Sequence, residues 1–412
     1  TTEIYTLSLH DALPISRMKS ALPKVLHPLG GLPMVSHVIR AAQSLSPERI
    51  VVVVGPGMDN VAATVAPHPT VVQERQLGTG DAVKAALGAL AGFTGDVLVL
   101  YGDSPLITPA TLSAMVAARN GHGDPAVVVL GMRPTDPGAY GRLILGGDGG
   151  LEKIVEFLDA SPEERAVTLC NAGFMAFDGA RMGALLAAIG NGNAKGEYYL
   201  TDAVAVARSS GWSCAVVEGP TDDTAGVNSR AELAGIEKIF QNRLRRAAMD
   251  NGATLLDPDT VYFAADTELG RDVTVGQNVV FGPGVTVEDG VEIKPFSHLE
   301  GVVVRKGAII GPYARLRPGT DVGEGAHVGN FVELKNTVFG KGAKANHLTY
   351  LGDADVGGGS NIGAGTITCN YDGVLKHRTR IGENVFIGTH STLVAPVRSE
   401  EHTSELQSHL NL

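Results

Sequence analysis

Residues 301–340 read GVVVRKGAIIGPYARLRPGTDVGEGAHVGNFVELKNTVFG, and small or branched apolar side chains return in this stretch every six residues. One row of such side chains consists of Val302, Ala308, Ala314, Thr320, Ala326, Val332 and Val338. A second row, two places further on, consists of Val304, Ile310, Leu316, Val322, Val328 and Leu334. A hexapeptide period predicts a parallel β-helix, in which each repeat forms one strand and one turn of a coil.

The same period continues on both sides of this stretch, at Val273, Val279, Val285 and Val291 and again at Ile381 and Ile387. We therefore predict a β-helix domain over residues 252–397. Between Val338 and Ile381 the period gives way to GKGAKANHLTYLGDADVGGGSNIGAGTITCNYDG, which is rich in His, Lys, Tyr and Asn. A solenoid does not need these residue types in its turns, so we predict that this break carries a binding site.

The part of the chain before the repeats has a different pattern. Short β-branched runs, such as 51–54, 97–100, 126–130 and 215–217, alternate with Ala/Leu-rich helical stretches. This alternation indicates βαβ units and a mostly parallel sheet, predicted over residues 17–228. Residues 229–251 have apolar side chains at helical spacing and are followed by Gly252, which predicts a connecting helix with a glycine stop.

Composition excludes several classes of function. Lysine and arginine minus aspartate and glutamate give 33 − 44 = −11 over 412 residues, without the basic patch that nucleic-acid binding requires. No apolar run approaches the ~18 residues of a membrane span. The three cysteines are an odd number far apart, which predicts neither a disulfide framework nor a zinc site and favours the reducing cytoplasm.

Eight motifs together resemble one family. RMKSALPKVLHPLGGLPM, QERQLGTGDA, YGDSPLI and AYGRLI resemble a sugar-1-phosphate nucleotidyltransferase, whereas ARLRPG, GAHVGNFVELKN, HLTYLGDA and NIGAGTITCNYDG resemble a hexapeptide-repeat acetyltransferase. In this order they resemble the bacterial bifunctional N-acetylglucosamine-1-phosphate uridyltransferases and glucosamine-1-phosphate N-acetyltransferases, over roughly residues 17–397. The resemblance implies an α/β Rossmann-like nucleotidyltransferase domain, a connecting helix and a left-handed parallel β-helix.

The family's function follows from the resemblance. Acetyl-CoA acylates glucosamine 1-phosphate, and UTP then reacts with N-acetylglucosamine 1-phosphate to give UDP-N-acetylglucosamine and pyrophosphate. The substrates implied are therefore these four small molecules, with Mg²⁺ as cofactor and acetyl-CoA as co-substrate. The resemblance also implies a homotrimer in the cytoplasm, with no nucleic-acid or membrane partner.

Residue roles in the uridyl transfer half are likewise implied by matching motif positions. Asp103 follows an apolar strand, so its carboxylate is expected at a strand's carboxyl end, where such folds bind ligands. The family pairs this residue with Asn228 to hold magnesium. The positions matching contacts to UTP or UDP-N-acetylglucosamine are Arg17, Lys24, Gln73, Gln76, Gly78, Thr79, Tyr101, Gly102, Asp103, Gly141, Glu156, Asn171 and Asn228.

In the acetyl transfer half, His347 matches the family's general base, and an imidazole has the pKa range for that task. The positions matching glucosamine-phosphate contacts are Arg317, Lys335, Tyr350 and Asn361. The positions matching acetyl-CoA contacts are Ala364, Asn370, Tyr371 and Thr389, the last of which is usually a serine in the family.

Residues 1–16 and 398–412 fit neither pattern, and both strings resemble translated sequencing-library adapters. We interpret them as non-native scars. We expect residues 1–16 not to form the family's first strand and its glycine-rich phosphate loop, and we expect further coils to be missing after residue 397. Weak activity and poor solubility would follow from those losses.

Three alternatives remain beside the bifunctional enzyme. A single-activity sugar-1-phosphate nucleotidyltransferase with a non-catalytic β-helix is disfavoured by His347 together with Arg317, Lys335 and the NYDG motif. An assembly module without catalysis is the second. A dinucleotide site at VVVVGPGMDN is the third, but Asn60 stands where the last glycine of that fingerprint would be, so a strand-to-helix turn is the better interpretation.

Overall fold

The computed structural model describes the backbone of residues 2–7 and the backbone and side chains of residues 18–193 and 196–399. The chain forms two compact units, Thr1–Glu237 and Lys238–Leu412. No helix in the described ranges has the length and apolar character that crossing a bilayer requires.

The first unit has an α/β pattern. Its strands are β1 (Thr2–Leu7), β2 (Pro28–Leu29), β3 (Leu32–Pro33), β4 (Ile50–Val54), β5 (Thr70–Val72), β6 (Asp96–Tyr101), β7 (Val127–Met132), β8 (Arg142–Leu145), β9 (Leu151–Val155), β10 (Cys170–Asp178) and β11 (Cys214–Glu218). Its helices are α1 (Met34–Gln43), α2 (Asp59–Val65), α3 (Thr79–Ala86), α4 (Pro109–Arg119), α5 (Pro162–Arg165), α6 (Gly179–Ala188), α7 (Asp202–Ser209) and the start of α8 (Arg230–Asp250). Short 3-10 helices cover Lys24–Leu26, Leu87–Leu90 and Thr221–Thr224.

The main sheet of this unit has the strand order β11-β7-β10-β6-β1-β4-β5, with β8 and β9 attached to one side. The pairs β1–β4, β1–β6, β4–β5 and β7–β11 are parallel. Strand β10 runs antiparallel to β6, β7 and β8, and β8 runs antiparallel to β9, which was not predicted. Strands β4 and β7 are buried along their whole length, because helices cover both faces of the sheet. The predicted α/β domain is therefore confirmed, but only half of the strand pairs of its sheet are parallel.

Strand β1 corrects one expectation. Residues Thr2–Leu7 form the strand between β4 and β6, with Ile4 in register with Ile50 on one side and Leu98 on the other. A gap there would leave two buried strands with unpaired backbone groups, and TEIYTL has the Ile, Tyr and Thr content that suits a strand. The expectation that this segment forms no interior strand is thus wrong. The expected absence of a phosphate loop concerns residues 8–17, which lie outside the described residues.

Helix α8 ends as the sequence predicts. Gly252 has φ +98°, and the N–H of Ala253 donates to the carbonyl of Ala248 at 3.0 Å. This six-to-one hydrogen bond and the left-handed glycine form a Schellman stop. In the second unit, the buried Gln241 and Arg245 of α8 bind backbone atoms of the first coil, with Gln241 Nε2 2.7 Å from Phe263 O and Arg245 Nε 2.9 Å from Val261 O.

The second unit is a solenoid of short strands. In chain order they are β12 (Thr254–Leu255), β13 (Glu268–Leu269), β14 (Thr274–Val275), β15 (Val280–Phe281), β16 (Thr286–Val287), β17 (Glu292–Ile293), β18 (His298–Leu299), β19 (Val302–Val304), β20 (Ile309–Ile310), β21 (Arg315–Arg317), β22 (Thr320–Val322), β23 (His327–Asn330), β24 (Glu333–Lys335), β25 (Val338–Phe339), β26 (Lys344–His347), β27 (Tyr350–Gly352), β28 (Ala354–Val356), β29 (Asn361–Ile362), β30 (Ile367–Cys369), β31 (Thr379–Ile381), β32 (Phe386–Ile387), β33 (Thr392–Val394) and β34 (Val397–Ser399). A 3-10 helix covers Pro258–Thr260.

Every third strand joins the same sheet. Three parallel sheets result, β12-β14-β17-β20-β23-β26-β29-β32, β13-β16-β19-β22-β25-β28-β31-β34 and β15-β18-β21-β24-β27-β30-β33. Each coil therefore contributes one strand to each of three faces around an apolar core, which is the architecture of the predicted left-handed β-helix.

Most coils contain 17 or 18 residues rather than a uniform 18, whereas the first contains 20, since Thr254 pairs with Thr274. Ile310 pairs with Val328, 18 positions on, whereas His327 pairs with Lys344, 17 positions on. Most of the two predicted rows is buried, but Val338 is 49% exposed, and Thr337 fills the core position instead. The one-residue shortening of that coil moves Val338 to the outer face, because adjacent strand residues point to opposite sides.

The predicted break in the repeat is much shorter than its sequence suggests. Strands β25 to β30 continue the three sheets without interruption. Beyond them, Asp355 pairs with Arg380 and Asn361 pairs with Phe386, each 25 positions away. An excursion of about eight residues after Cys369 accounts for the difference, so only the NYDG segment and the residues up to 378 leave the coil.

Candidate active sites

In the first unit, three predicted residues form one cluster at the carboxyl end of β6. The Lys24 ammonium donates to Asp103 Oδ2 at 2.8 Å and to Asn228 Oδ1 at 3.2 Å. The N–H of Val227 donates to the carbonyl of Asp103 at 2.9 Å, which holds Asn228 beside the carboxylate although the two residues are far apart in sequence. The cluster is sheltered, because the side chains of Lys24 and Asp103 are only 6% and 19% exposed.

Asn228 is also held from the other side by the start of helix α8. The Glu232 carboxylate accepts from the N–H of Asn228 at 2.6 Å and from that of Ser229 at 3.1 Å, and Ser229 Oγ accepts from the N–H of Glu232 at 3.2 Å. This is a capping box. It fixes the backbone of Asn228 just before the helix, so the amide has little freedom to leave the cluster.

The cluster fits a divalent cation of the magnesium type. Asp103 Oδ2 and Asn228 Oδ1 converge on one positive group, the ammonium of Lys24. Magnesium binds few protein oxygens and completes its shell with water and phosphate, so one carboxylate and one amide are sufficient donors. Within the described residues no three His, Cys, Asp or Glu side chains come together as a metal site, which leaves this two-oxygen pair as the candidate.

The predicted uridine contacts surround the start of helix α3. The side-chain N–H₂ of Gln73 donates to the carbonyl of Gly78 at 3.2 Å and to Asp81 Oδ2 at 2.8 Å. Its Oε1 is buried and accepts no hydrogen bond from the described residues. Thr79 Oγ1 accepts from the N–H of Leu200 at 2.9 Å, and Gln76 is exposed at the edge. The buried Gln73 oxygen is thus an acceptor available to a ligand donor.

Gly78 has a backbone that only glycine adopts easily. Its φ is +107°, and a Cβ there would lie 2.7 Å from the carbonyl oxygen of Tyr198. The N–H of Tyr198 donates to Leu77 O at 2.7 Å, and the N–H of Gly80 donates to Tyr198 O at 2.8 Å. This close backbone pairing requires the first glycine of the LGTG motif.

The predicted sugar contacts come from three neighbouring strands: Gly141 precedes β8, Glu156 follows β9 and Asn171 lies in β10. The N–H of Asn171 donates to the carbonyl of Gly141 at 2.8 Å, and Asn171 Oδ1 accepts from the N–H of Gly173 at 2.9 Å. A Cβ on Gly141 would lie 3.5 Å from Glu156 Oε1. Gly141 is therefore adjacent to both Asn171 and Glu156, and their role as sugar contacts stays a prediction.

Tyr101 ends β6 and Gly102 follows it, directly before Asp103 of the lysine cluster. Gly173, in a bulge of β10 with φ +91°, approaches so closely that a Cβ would lie 2.9 Å from the Tyr101 ring. The ring also packs edge-on against Phe174 at 5.9 Å between centroids. Burial raises the pKa of the Tyr101 phenol, and the carboxylates of Asp103 and Glu156 raise it further, so the group is neutral.

One residue of this site was not singled out from the sequence. Arg142, in the AYGRLI motif, is 2% exposed and donates to the carbonyl oxygens of Pro137, Gly138 and Tyr140. The guanidinium holds the turn that leads into Gly141. A buried arginine among carbonyls carries no signal in a single sequence beyond its motif, so only the structure reveals this role.

In the second unit, the predicted phosphate ligands are adjacent rungs of one sheet. Arg317 of β21 is in register with Lys335 of β24, and Glu333 Oε1 accepts from Arg317 Nη1 at 3.0 Å. Lys376, from the excursion, comes within hydrogen-bonding reach of Lys335 and thereby lowers the pKa of the Lys335 ammonium. Three cationic groups thus gather at one place. Lys376 was missed because the excursion, not the strand period, brings it there.

Tyr350 and Asn370 border this cationic group. Tyr350 pairs with Glu333 on the preceding rung, and burial together with the Glu333 carboxylate raises the pKa of its phenol. A Cβ on Gly352 would lie 2.3 Å from the Tyr350 oxygen, so the glycine leaves room for the ring. Asn370 donates to the buried carboxylate of Asp353, to which Asn336 also donates at 2.6 Å.

His347 is exposed at the end of β26, one rung after Asn330 of β23. The imidazole Nδ1 lies 2.6 Å from Asn330 Oδ1. Asn361 of β29 is in register with Lys344, which places Ala364 on the rung after His347 and Thr389 on the rung after that. The predicted base and two predicted coenzyme contacts therefore occupy one column.

The excursion itself is ordered by its own hydrogen bonds. Asp372 Oδ1 accepts from the N–H groups of Val374 and Leu375 at 2.8 and 2.7 Å, and these bonds together with that to His377 lower its pKa to about 2. Tyr371 is 60% exposed beside this turn. Of the predicted residues, Arg17 alone lies outside the described residues.

Comparisons with known proteins agree with both halves. The family model of the MobA-like NTP transferase domain matches residues 16–163. The bifunctional protein GlmU of Paramagnetospirillum magneticum is 60% identical over 383 residues, covering 93% of this chain and 85% of that protein. GlmU of Rhodospirillum rubrum is 63% identical over 382 residues, with the same coverage of both chains. GlmU of a Jannaschia species is 54% identical over 386 residues, covering 93% of this chain and 84% of that protein.

The fold and the two clusters define a nucleotidyltransferase that is followed in the chain by a hexapeptide-repeat acyltransferase. The chain belongs to the family of bifunctional GlmU proteins. It is a bifunctional enzyme of UDP-N-acetylglucosamine synthesis, with uridyltransferase and acetyltransferase activities, as the motifs predict. The single-activity alternative is not favoured.

The conformation of Gly78 gives a test of the uridine site. Gly78→Ala should lower kcat/KM of uridyl transfer by roughly 10- to 100-fold, because the methyl group displaces Tyr198 and the Gln73 contact to Gly78 O. Acetyl transfer by the same preparation should not change. Gly88→Ala is the matched control, since a Cβ there meets nothing within 4 Å. Equal loss in both variants would contradict a special role for Gly78.

Proposed function

We propose that uridyl transfer takes place at the cluster of Lys24, Asp103 and Asn228, and that acetyl transfer takes place at the column that contains His347. The observation that carries the first assignment is the convergence of the Asp103 and Asn228 oxygens on one cation. The second assignment rests on an imidazole whose Nδ1 is held by Asn330, and on the separate cationic group of Arg317, Lys335 and Lys376 in the same unit.

In uridyl transfer, a phosphate oxygen of N-acetylglucosamine 1-phosphate forms a bond to the α-phosphorus of UTP, and pyrophosphate leaves with the bridging oxygen. The protein contributes positioning and charge stabilisation rather than covalent chemistry. Lys24 would turn from Asp103 and Asn228 toward the phosphates when the nucleotide binds. Gln73 Oε1 would accept from the uracil ring N–H, and Gly141, Glu156 and Asn171 would hold the sugar.

Asp103 and Asn228 would hold Mg²⁺ in this reaction. When bound there, the ion offsets the negative charge that the phosphates bring together. The ammonium of Lys24 shares the same two oxygens, so nucleotide phosphates that draw Lys24 away would also free both oxygens for the metal. This exchange keeps the Asp103 carboxylate paired with a positive charge at each stage.

In acetyl transfer, the amine of glucosamine 1-phosphate attacks the thioester carbonyl of acetyl-CoA. His347 Nε2 takes the amine proton as the new carbon–nitrogen bond forms, and the proton is then available to the thiolate that leaves when the carbon–sulfur bond breaks. Arg317 and Lys335 would bind the sugar phosphate, with Lys376 beside them. Tyr350 and Asn361 would hold the sugar, and Ala364, Asn370, Tyr371 and Thr389 would contact the coenzyme.

We also propose a cytoplasmic homotrimer. Phe296, Tyr313 and Phe331 stack at one corner of successive coils, with ring centroids 4.8 and 5.1 Å apart. They are 46%, 47% and 55% exposed, and each has a positive φ that is costly for a bulky residue. A second copy covering this aromatic ladder would bury the exposed rings. The cytoplasm supplies UTP and acetyl-CoA, and the three cysteines of the chain are free.

The trimer is tested by mass in solution. Sedimentation equilibrium should give about three times the chain mass of 42.8 kDa. Tyr313→Lys should shift the mass toward that of one chain, because a charge would enter the covered ladder. Leu256→Lys changes a 64% exposed residue outside the ladder and should leave the mass unchanged. A single-chain mass for the parent protein would refute the trimer.

The two activities should be separable. His347→Ala should lower acetyl transfer by about 10²- to 10⁴-fold, the usual contribution of a general base, and leave uridyl transfer within about twofold. Asp103→Ala should do the reverse. His298→Ala and Asp250→Ala, which change exposed residues outside both clusters, serve as controls. Loss of both activities from either site variant, with unchanged circular dichroism, would contradict the assignment.

Metal removal should distinguish the same two sites. EDTA should lower uridyl transfer by about 100-fold or more, because the phosphate charges lose their counter-ion, and added Mg²⁺ should restore it. Acetyl transfer, which uses a protein base, should continue at its full rate. If EDTA inhibited both reactions equally, the proposed division of roles would be wrong.

A further inference from the structure

Asn330 lies directly beside His347 for a reason that the backbone dictates. The two residues end β23 and β26 and are register partners in the same parallel sheet. The N–H of Leu348 donates to the carbonyl of Asn330 at 3.1 Å, and Thr349 Oγ1 donates to the carbonyl of His347 at 2.8 Å. These bonds fix both strand ends, so the side chains project from neighbouring rungs about 4.8 Å apart.

The chemistry of the contact determines which imidazole nitrogen carries the proton. Asn330 Oδ1 lies 2.6 Å from His347 Nδ1, and an amide oxygen can only accept. A neutral imidazole paired with this oxygen donates from Nδ1 and keeps its lone pair on Nε2. In the other tautomer, Nδ1 and Oδ1 would be two acceptors in contact.

The residue on the rung that follows His347 has no polar side chain, unlike Asn330 on the rung before it. Register places Ala364 there, and Thr389 beyond it. A methyl group has no polar atom that could compete for Nε2. The column thus has an amide on one side of the imidazole and a side chain without polar atoms on the side of the predicted coenzyme contacts.

We propose that Asn330 is a positioning residue for acetyl transfer: it holds His347 in the Nδ1–H tautomer and fixes the ring so that Nε2 faces the amine. This inference rests on the proposed role of His347 as the general base. Asn330 itself touches no substrate in this scheme. Its contribution is to keep the whole population of His347 in the one tautomer that can accept a proton at Nε2.

The test combines kinetics with ¹⁵N NMR of the imidazole nitrogens in the full chain. Asn330→Leu should lower kcat of acetyl transfer roughly tenfold, equivalent to about 1.4 kcal/mol, with KM for both substrates within about twofold. The His347 ring signals, identified by their loss in His347→Gln, should shift from Nδ1–H toward Nε2–H. Asn330→Asp keeps an acceptor and should retain the Nδ1–H tautomer and most of kcat.

Two controls separate this role from a structural one. Gln277→Leu removes an amide from the same column three coils earlier and should change neither kcat nor the His347 signals. Uridyl transfer should be constant in all variants. The inference is overturned if Asn330→Leu keeps its kcat, or if kcat falls while His347 stays in the Nδ1–H tautomer. Full acetyl transfer by His347→Gln would instead refute the proposed base itself.

Discussion

The parallel register of the β-helix is the constraint on which the second unit depends. In most coils each residue lies over the residue 17 or 18 positions earlier, because backbone hydrogen bonds join the coils strand by strand. Side chains that are distant in sequence are therefore fixed about 4.8 Å apart in columns. Lys335 on Arg317 and His347 on Asn330 are both consequences of this one rule. In a solenoid the side chains of such columns usually only pack against one another. Here two of the columns hold the polar side chains proposed to act in acetyl transfer.

The first unit brings side chains that are distant in sequence together by different contacts. Its site is assembled where β6 ends, from a short 3-10 helix, a strand end and the start of α8. Backbone hydrogen bonds and a capping box hold these pieces together, as the Val227 bond to Asp103 and the Glu232 bonds to Asn228 show. A site built from loops can exchange partners, and the double contact of Lys24 is suited to such an exchange. A site built on stacked rungs is stiff, which suits a base whose tautomer matters.

Sequence reasoning reached the fold class because both patterns are local. A hexapeptide period and an alternation of strands and helices can each be counted along the chain.

Prediction from the sequence failed where a tertiary contact decides which residues form a strand or enter the core. Thr2–Leu7 pairs with two strands that lie roughly 45 and 95 residues away in sequence, and no local sequence pattern predicts these pairings. Likewise Thr337 rather than Val338 enters the core, because a coil is one residue shorter. The site roles implied by the motif matches stay predictions, whereas the contacts of Arg142, Asn330 and Lys376 are ones that only the folded chain makes.

The excursion after Cys369 shows how a solenoid can gain a site without losing its register. An insertion of a few residues within a strand would shift every later side chain to the wrong face. Here the extra residues leave the coil at a corner and return to it, and the carboxylate of Asp372 closes the turn by accepting two backbone N–H groups. Asp355 then pairs with Arg380, so the parallel sheet continues after the excursion. The excursion brings Lys376 to the Arg317–Lys335 column, and the register that built that column is left intact.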